Sequence, residues 1–266
     1  MMNAANEISH HTMLYGFIGV DAGVSSMSAT LNKLFKANNK DAMMIPLNIR
    51  EDDFYYTVVN MKKSHVNGAL ISKEYMSKVV ELLDDASEIV KKSKICDILL
   101  RDGNRFFGDV VTINALVDFL KSKDVKKIAL IGIDERAEAF SIVAKENFEI
   151  SYFYDKLEEL MQFCDKIELK NADINRIAEG MSVDFGIFDA VVDFSDFTKF
   201  DMIECLAKIN VDMKQKKEFS ALKLRANELN SPCVGFEDML DFISKEVYKF
   251  LENKNHLNYD KSEMKF

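Results

Sequence analysis

Short apolar runs alternate with stretches whose apolar residues recur at helical spacing, and this alternation limits the fold more than any other feature of the chain. Leu14–Val20 predicts a strand, and Ser25–Asn38, with Leu31, Leu34 and Phe35 on one face, predicts a helix. AMMIPLNI is a second strand, which Pro46 assigns to a sheet edge or a bulge because proline has no N–H for an inner ladder. Asp52–Lys62 predicts a helix and Asn67–Ser72 a short strand. KEYMSKVVELLDD predicts an amphipathic helix with Met76, Val79, Val80, Leu82 and Leu83 inward. ICDILLRDGNRFFGDVV is a hairpin, since two apolar runs flank the turn Asp102-Gly103-Asn104.

A helix from Thr112 to Lys121 opens a second series. It continues through KIALIG, a helix near Glu135–Glu146, FEISYFY, a helix from Asp155, KIEL, a helix near Asn171–Gly180, and FDAVVDF. Strands joined through helices of this length require crossovers and a mostly parallel sheet. A last helix, Phe236–Leu251, puts Met239, Leu240, Ile243, Val247 and Phe250 on one face. The expected fold class is α/β, in two halves that meet near residues 112–124.

Composition removes several functions. With 266 residues, 48% of them apolar, the chain is long enough for one large core or two smaller ones. A net charge of -9 opposes binding to nucleic acid or to an anionic membrane. Cys96, Cys164, Cys205 and Cys233 are widely spaced, which predicts buried free thiols in a reducing cytoplasm. The polar opening MMNAANEISHHT has no signal-peptide core, and no run of about 18 apolar residues occurs, so a soluble cytoplasmic protein is expected. His10-His11, His65 and His256 have no metal-ligand spacing, and no metal is expected. Phe54, Tyr55, Tyr56, Phe106 and Phe107 mark a protein contact if exposed, and core if not.

The stretch after KIALI carries the main question. A dinucleotide-binding turn needs small residues, because the backbone must turn tightly and approach the pyrophosphate. Here the turn is Gly132-Ile133-Asp134-Glu135-Arg136, with one glycine and two acids. Acids at a helix start stabilise its dipole, which a phosphate would otherwise do.

YGFIGVDAGVSSMSATLNKLF, VNGALISKE, ICDILLRDGNRFFGDVVTINALVDFL, KKIALIG, FDAVVDF and GFEDMLDFISKEVYKF, in this order, resemble the shikimate dehydrogenase family over nearly the whole chain. The resemblance implies a substrate domain over 1–112 and about 236–266, closed by the returning C-terminal helix, and an NADP-binding Rossmann domain over about 113–235. In the family, two serines hold the substrate carboxylate. Ser25 fits the first, the second position is Met27, and Ser28 is adjacent. At a helix start, Ser25 is either a cap or an anion ligand. The family's N-V-T-x-P-x-K becomes NGALISK, in which Asn67 and the catalytic Lys73 are kept. Lys73 is an acid–base group if it faces a cleft, and an ordinary helix-start lysine if it does not.

Other family positions are altered. The catalytic aspartate position is Thr112, a substrate-contacting asparagine is Asp97, and the substrate-binding glutamine is Ile243. Asp109 replaces the catalytic carboxylate only by a shift of register. The arginine for the NADP 2′-phosphate falls at or near Asp155, which is either an NAD-type ribose ligand or an N-cap. The nicotinamide-side N-A-T is Asp193-Phe194-Ser195. The expectation is therefore a shikimate dehydrogenase-like fold that has lost redox function and carries no cofactor. Its partner would be a small carboxylic acid, bound through Ser25, Ser28, Asn67, Asp97 and Lys73, or another protein. An active dehydrogenase is the alternative. It would hold NAD or NADP through Gly132 and Asp155, with Lys73 as its acid–base.

Overall fold

The computed structural model describes residues 11–214 and 217–252; His10, His256 and the charged tail lie outside them. Within these limits the chain forms two compact units, one from residues 11–87, 96–111 and 244–252, the other from 88–95 and 112–243.

The first unit begins with β1 (Met13–Gly19), α1 (Met27–Ala37), β2 (Ala42–Asn48), α2 (Glu51–Met61) and β3 (Val66–Ile71). β4 (Asp85–Ala86) and the hairpin β5 (Ile98–Asp102) and β6 (Arg105–Asp109) complete a six-stranded sheet in the order β2-β1-β3-β5-β6-β4. Pro46 lies in the edge strand β2, where no inner ladder needs its missing N–H. Asn32 of α1 pins that edge. Its Oδ1 accepts from Met44 N at 2.7 Å, and its Nδ2 donates to Met44 O at 2.9 Å. Phe17, Leu31, Phe54 and Tyr75 are buried in the unit's core, and Phe54 stacks on Tyr75 with ring centroids 4.2 Å apart.

KEYMSKVVELLDD does not form the expected helix. It makes two 3-10 turns, Lys73–Tyr75 and Lys78–Leu82, because its side chains are tied down one at a time. The Glu74 carboxylate accepts from Val20 N at 2.6 Å, Tyr75 OH donates to Ile49 O at 2.7 Å, and Lys78 pairs with Glu51.

The second unit contains α3 (Glu88–Ser93), α4 (Thr112–Ser122), β7 (Lys127–Ile131), α5 (Glu135–Ala144), β8 (Glu149–Tyr154), α6 (Leu157–Lys166) and β9 (Asp173–Arg176). Then follow β10 (Val183–Asp184), β11 (Ala190–Asp193), β12 (Ile203–Cys205), β13 (Ile209–Asp212), α7 (Ala221–Glu228) and β14 (Val234–Gly235). The helix expected at Asn171–Gly180 is absent: Asp173–Arg176 instead pairs in parallel with β8 as an edge strand, and KIEL is not a strand. The main sheet is parallel throughout, in the order β14-β13-β11-β7-β8-β9. Chain order reverses between β7 and β11, which makes the C-terminal ends of these two strands the switch point. Ala129, Ile131, Phe153, Phe185, Val191 and Phe200 belong to one buried cluster of this unit.

α8 (Leu240–Glu252) ends the described chain, and the boundary between the units falls within it. Ile243 is fully buried. Cys96 and Cys164 are buried as expected, whereas Cys233 is half-buried and Cys205 exposed. Phe54 and Phe106 are core, while Tyr55 and Tyr56 are exposed on α2. No helix among the described residues is long and apolar enough to cross a membrane.

Candidate functional site

In the first unit, β1 and β3 run parallel, so their C-terminal ends lie side by side. Ser72 N donates to Ile18 O at 2.8 Å, and Glu74 bridges the same two turns by accepting from Val20 N and from Ser72 Oγ, both at 2.6 Å. Ile71 N donates to Asp97 O at 2.7 Å, which holds the Asp97 backbone beside the last residue of β3, two residues before Lys73. Asp97 is fully buried, and its Oδ1 accepts from Val111 N at 2.7 Å. Here a carboxylate orders the segment leading out of β6. Asp109, the other carboxylate nearby, accepts from Ser87 Oγ at 2.6 Å and Val110 N at 2.8 Å, so its role is local.

α1 begins beyond the same end of β1. Its N-cap is Ser26, which makes no side-chain cap bond. Ser25, one residue earlier, accepts from Met27 N through Oγ at 3.2 Å, so it does bond the first turn, though from outside the cap position expected for it. Ser28 is buried, and its hydroxyl has no hydrogen-bond partner. A buried hydroxyl without a partner costs stability, which makes it a place to look for a ligand. Asn67 is not brought to this group. It lies at the opposite end of β3, about 13 Å of extended strand before Ile71, with its Nδ2 toward Leu14 O at 3.4 Å.

In the second unit, the Gly132 turn is filled by protein atoms. Gly132 has φ +101°, and a Cβ there would lie 2.7 Å from Ser195 N and 2.8 Å from Phe194 C. This glycine is therefore required by the backbone crossing it, whether or not a ligand binds. Asp134 is the N-cap of α5. Its Oδ1 accepts from Arg136 N at 3.0 Å and Ala137 N at 2.9 Å, and its Oδ2 accepts from the Arg136 guanidinium at 2.7 and 2.6 Å. Burial pushes the Asp134 carboxyl above its ordinary value, while Arg136 and the Ala137 N–H pull the other way. Arg136 also lies over the Phe194 ring, 5.5 Å from its centroid. A groove of about 330 Å³ beside the turn is lined by Asp134, Glu135, Glu138 and Glu159 together with Gln162 and Lys166. Lys166 is paired with Glu138 at 2.6 Å. The charged lining of this groove is predominantly acidic.

Thr112, at the position of the family's catalytic aspartate, is buried as the first residue of α4. Asp155 is not the cap expected of it. Lys156 is the N-cap of α6 without a side-chain cap bond, and Asp155 Oδ1 is buried with no partner.

A further group joins Asp193, of the Asp193-Phe194-Ser195 stretch, to Asp212 and Lys214, which no motif marks. Asp193 and Asp212 end β11 and β13 and are paired in register. Both are buried, and Lys214 Nζ lies 3.8 Å from one carboxylate and 3.7 Å from the other. For the pairing itself, the sequence signal is that the two short strand-like runs AVVD and INVD each end in aspartate. Among the described residues, no three His, Cys, Asp or Glu are grouped to hold a metal.

The fold defines a two-unit α/β protein with a parallel, nucleotide-type sheet in its second unit. No family model matches the chain. The chain is 25% identical over 174 residues to the shikimate dehydrogenase (NADP(+)) of Dictyoglomus thermophilum, covering 61% of this chain and 63% of that one. It is 25% identical over 224 residues to the shikimate dehydrogenase (NADP(+)) of Carboxydothermus hydrogenoformans, covering 74% and 80%. The match to the first thus spans a little under two thirds of that enzyme. The crystal structure of Aquifex aeolicus shikimate dehydrogenase superposes with a TM-score of 0.71 at 17% identity, covering 95% of this chain and all of that one. The chain is a divergent relative of the shikimate dehydrogenases, with their fold.

Proposed function

We propose that this shikimate dehydrogenase-like protein has lost nicotinamide-dependent redox chemistry and binds a small carboxylic acid at the first unit's strand ends. One observation carries the reading. The Asp134 carboxylate already takes the N–H groups of α5 that would receive a phosphate, and Arg136 neutralises it from within. A pyrophosphate would have to displace an internal anion and then face Glu135 and Glu138. At the first unit, the Ser28 hydroxyl, Ser25 and the start of α1 offer donors to a carboxylate, and Lys73 supplies a cation from the end of β3. Asp97 adds a negative charge, which favours a ligand with a hydroxyl or amine donor there.

The test is a titration with NADH and NADPH followed by nucleotide fluorescence, which no tryptophan in this chain disturbs. The expected result is no saturation up to millimolar nucleotide. Saturation at micromolar nucleotide would overturn the proposal.

A second reading, an active NAD-dependent dehydrogenase, is favoured by Asp155. Its unpartnered Oδ1 follows β8, where an NAD site places an acid on the ribose. On that reading Lys73 is the acid–base, and Lys73→Met abolishes turnover of shikimate-like acids.

A further inference from the structure

Asp193, Asp212 and Lys214 take no part in the function proposed above. The two carboxylates belong to adjacent parallel strands in register, so their side chains leave the same face at the same sheet edge. Asp193 Oδ1 is satisfied by Ser195 N at 2.8 Å and Ser195 Oγ at 2.6 Å. Asp212 Oδ1 accepts from Lys214 N at 3.1 Å. The remaining oxygen of each, Oδ2, is buried without a hydrogen bond. Lys214 reaches both, but at ion-pair and not hydrogen-bond distance. With every group charged, two carboxylates share one cation in a site that excludes water, and one negative charge is left uncompensated. Binding one proton removes that charge.

We propose that Asp193, paired in register with Asp212, holds a proton in the folded protein at near-neutral pH, making the C-terminal end of the second unit's sheet a pH-responsive element. In the protonated state the pair and Lys214 are jointly neutral. In the ionised state the free charge draws on Lys214 and on the turns after β11 and β13. Burial first, and Asp212 next, raise the Asp193 carboxyl to about 7, against the pull of Lys214 and of the Ser195 hydroxyl and N–H. Cys233, the other titratable group close by, is pushed up to about 12, chiefly by burial and then by Asp212, and stays a neutral thiol.

The sign follows from linkage. The folded state binds a proton that the unfolded chain releases near an ordinary 3.8. The site therefore favours folding most at low pH, and this advantage falls as pH rises toward about 7 and is flat above it. Within that window the site's contribution changes the unfolding equilibrium by up to about tenfold per pH unit.

Urea unfolding followed by circular dichroism from pH 5 to pH 8 on the full chain tests this, with Asp193→Asn and Asp212→Asn alongside. Asp193→Asn is expected to lose the site's share of the pH dependence and to exceed the parent protein in stability at pH 8. Asp212→Asn removes the repelling charge and should move the window toward acid, which a merely structural role would not do. Identical pH slopes in the parent and Asp193→Asn overturn the proposal. Should Asp193→Asn not fold, carboxyl carbon NMR of the parent decides. A carboxyl titrating near neutrality upholds the site, and titration of every carboxyl below about pH 5 overturns it.

Discussion

α1 and α5 each follow the first strand of a parallel segment, the place where α/β folds take anionic ligands, yet their N-termini are finished differently. At α5, Asp134 caps the helix, accepts from two backbone N–H groups and is neutralised by Arg136. At α1, the N-cap makes no side-chain cap bond, and the buried Ser28 hydroxyl in the first turn has no partner. One helix start contains its own anion, whereas the other leaves a donor unused. Geometry needed for folding and geometry needed for a ligand can therefore separate within one chain. Gly132 shows this most directly, since the crossing Phe194–Ser195 backbone requires it without any phosphate.

That last point gives the largest expected effect. Gly132→Ala puts a Cβ against backbone atoms at 2.7 and 2.8 Å and forces alanine to a positive φ. Neither can be relieved by a side-chain rotation. A loss of about 2–4 kcal/mol is expected in urea unfolding. A loss under about 0.5 kcal/mol would mean the crossing segment yields easily, and the glycine would again need a ligand to explain it.

Asp134 comes next. Asp134→Ala removes the cap and leaves Arg136 without its partner, for an expected loss of about 1–2 kcal/mol. Asp134→Asn sharpens the comparison, because asparagine caps as well as aspartate but carries no charge. It should keep the cap and lose only the bonds from Arg136 to Oδ2, about 1 kcal/mol and less than Asp134→Ala loses. If it also gains measurable NADH affinity, charge alone was excluding the nucleotide. If it does not, the occupied N–H groups are the obstacle, as proposed.

How much of this was legible in the sequence depended on whether the signal was local. Strands β7, β8 and β11 of the parallel sheet and the hairpin around Gly103 follow from runs of apolar residues and a turn dipeptide, both readable within ten residues. The acids of the Gly132 turn were legible too, because a helix start prescribes what Asp134 does there. The segment from Lys73 to Leu82 was not. Its apolar spacing fits a helix, but Glu74, Tyr75 and Lys78 are each held by residues more than 25 positions away. Asp173–Arg176 lies in a stretch whose own residues suit a helix, and its strand character comes from pairing with β8. Asp193 and Asp212 are ordinary strand-ending acids in sequence, and only the register of β11 on β13 makes them a pair.

The smallest effect on stability is the most informative about the first unit. Ser28 is buried with an unpartnered hydroxyl, so Ser28→Ala removes a desolvated polar atom and no hydrogen bond. The variant should therefore be as stable as the parent protein or up to about 1 kcal/mol more stable. A hydroxyl serving the fold would give the opposite sign, a loss of about 1 kcal/mol from a broken hydrogen bond. The same variant should bind shikimate, used as a carboxylate probe in calorimetry, several-fold more weakly than the parent protein. A gain in stability together with a loss of binding is the signature of a residue kept at a cost for a ligand. A gain in stability with binding unchanged would leave α1 as closed to anions as α5, and the contrast between the two helix starts would be one of packing alone.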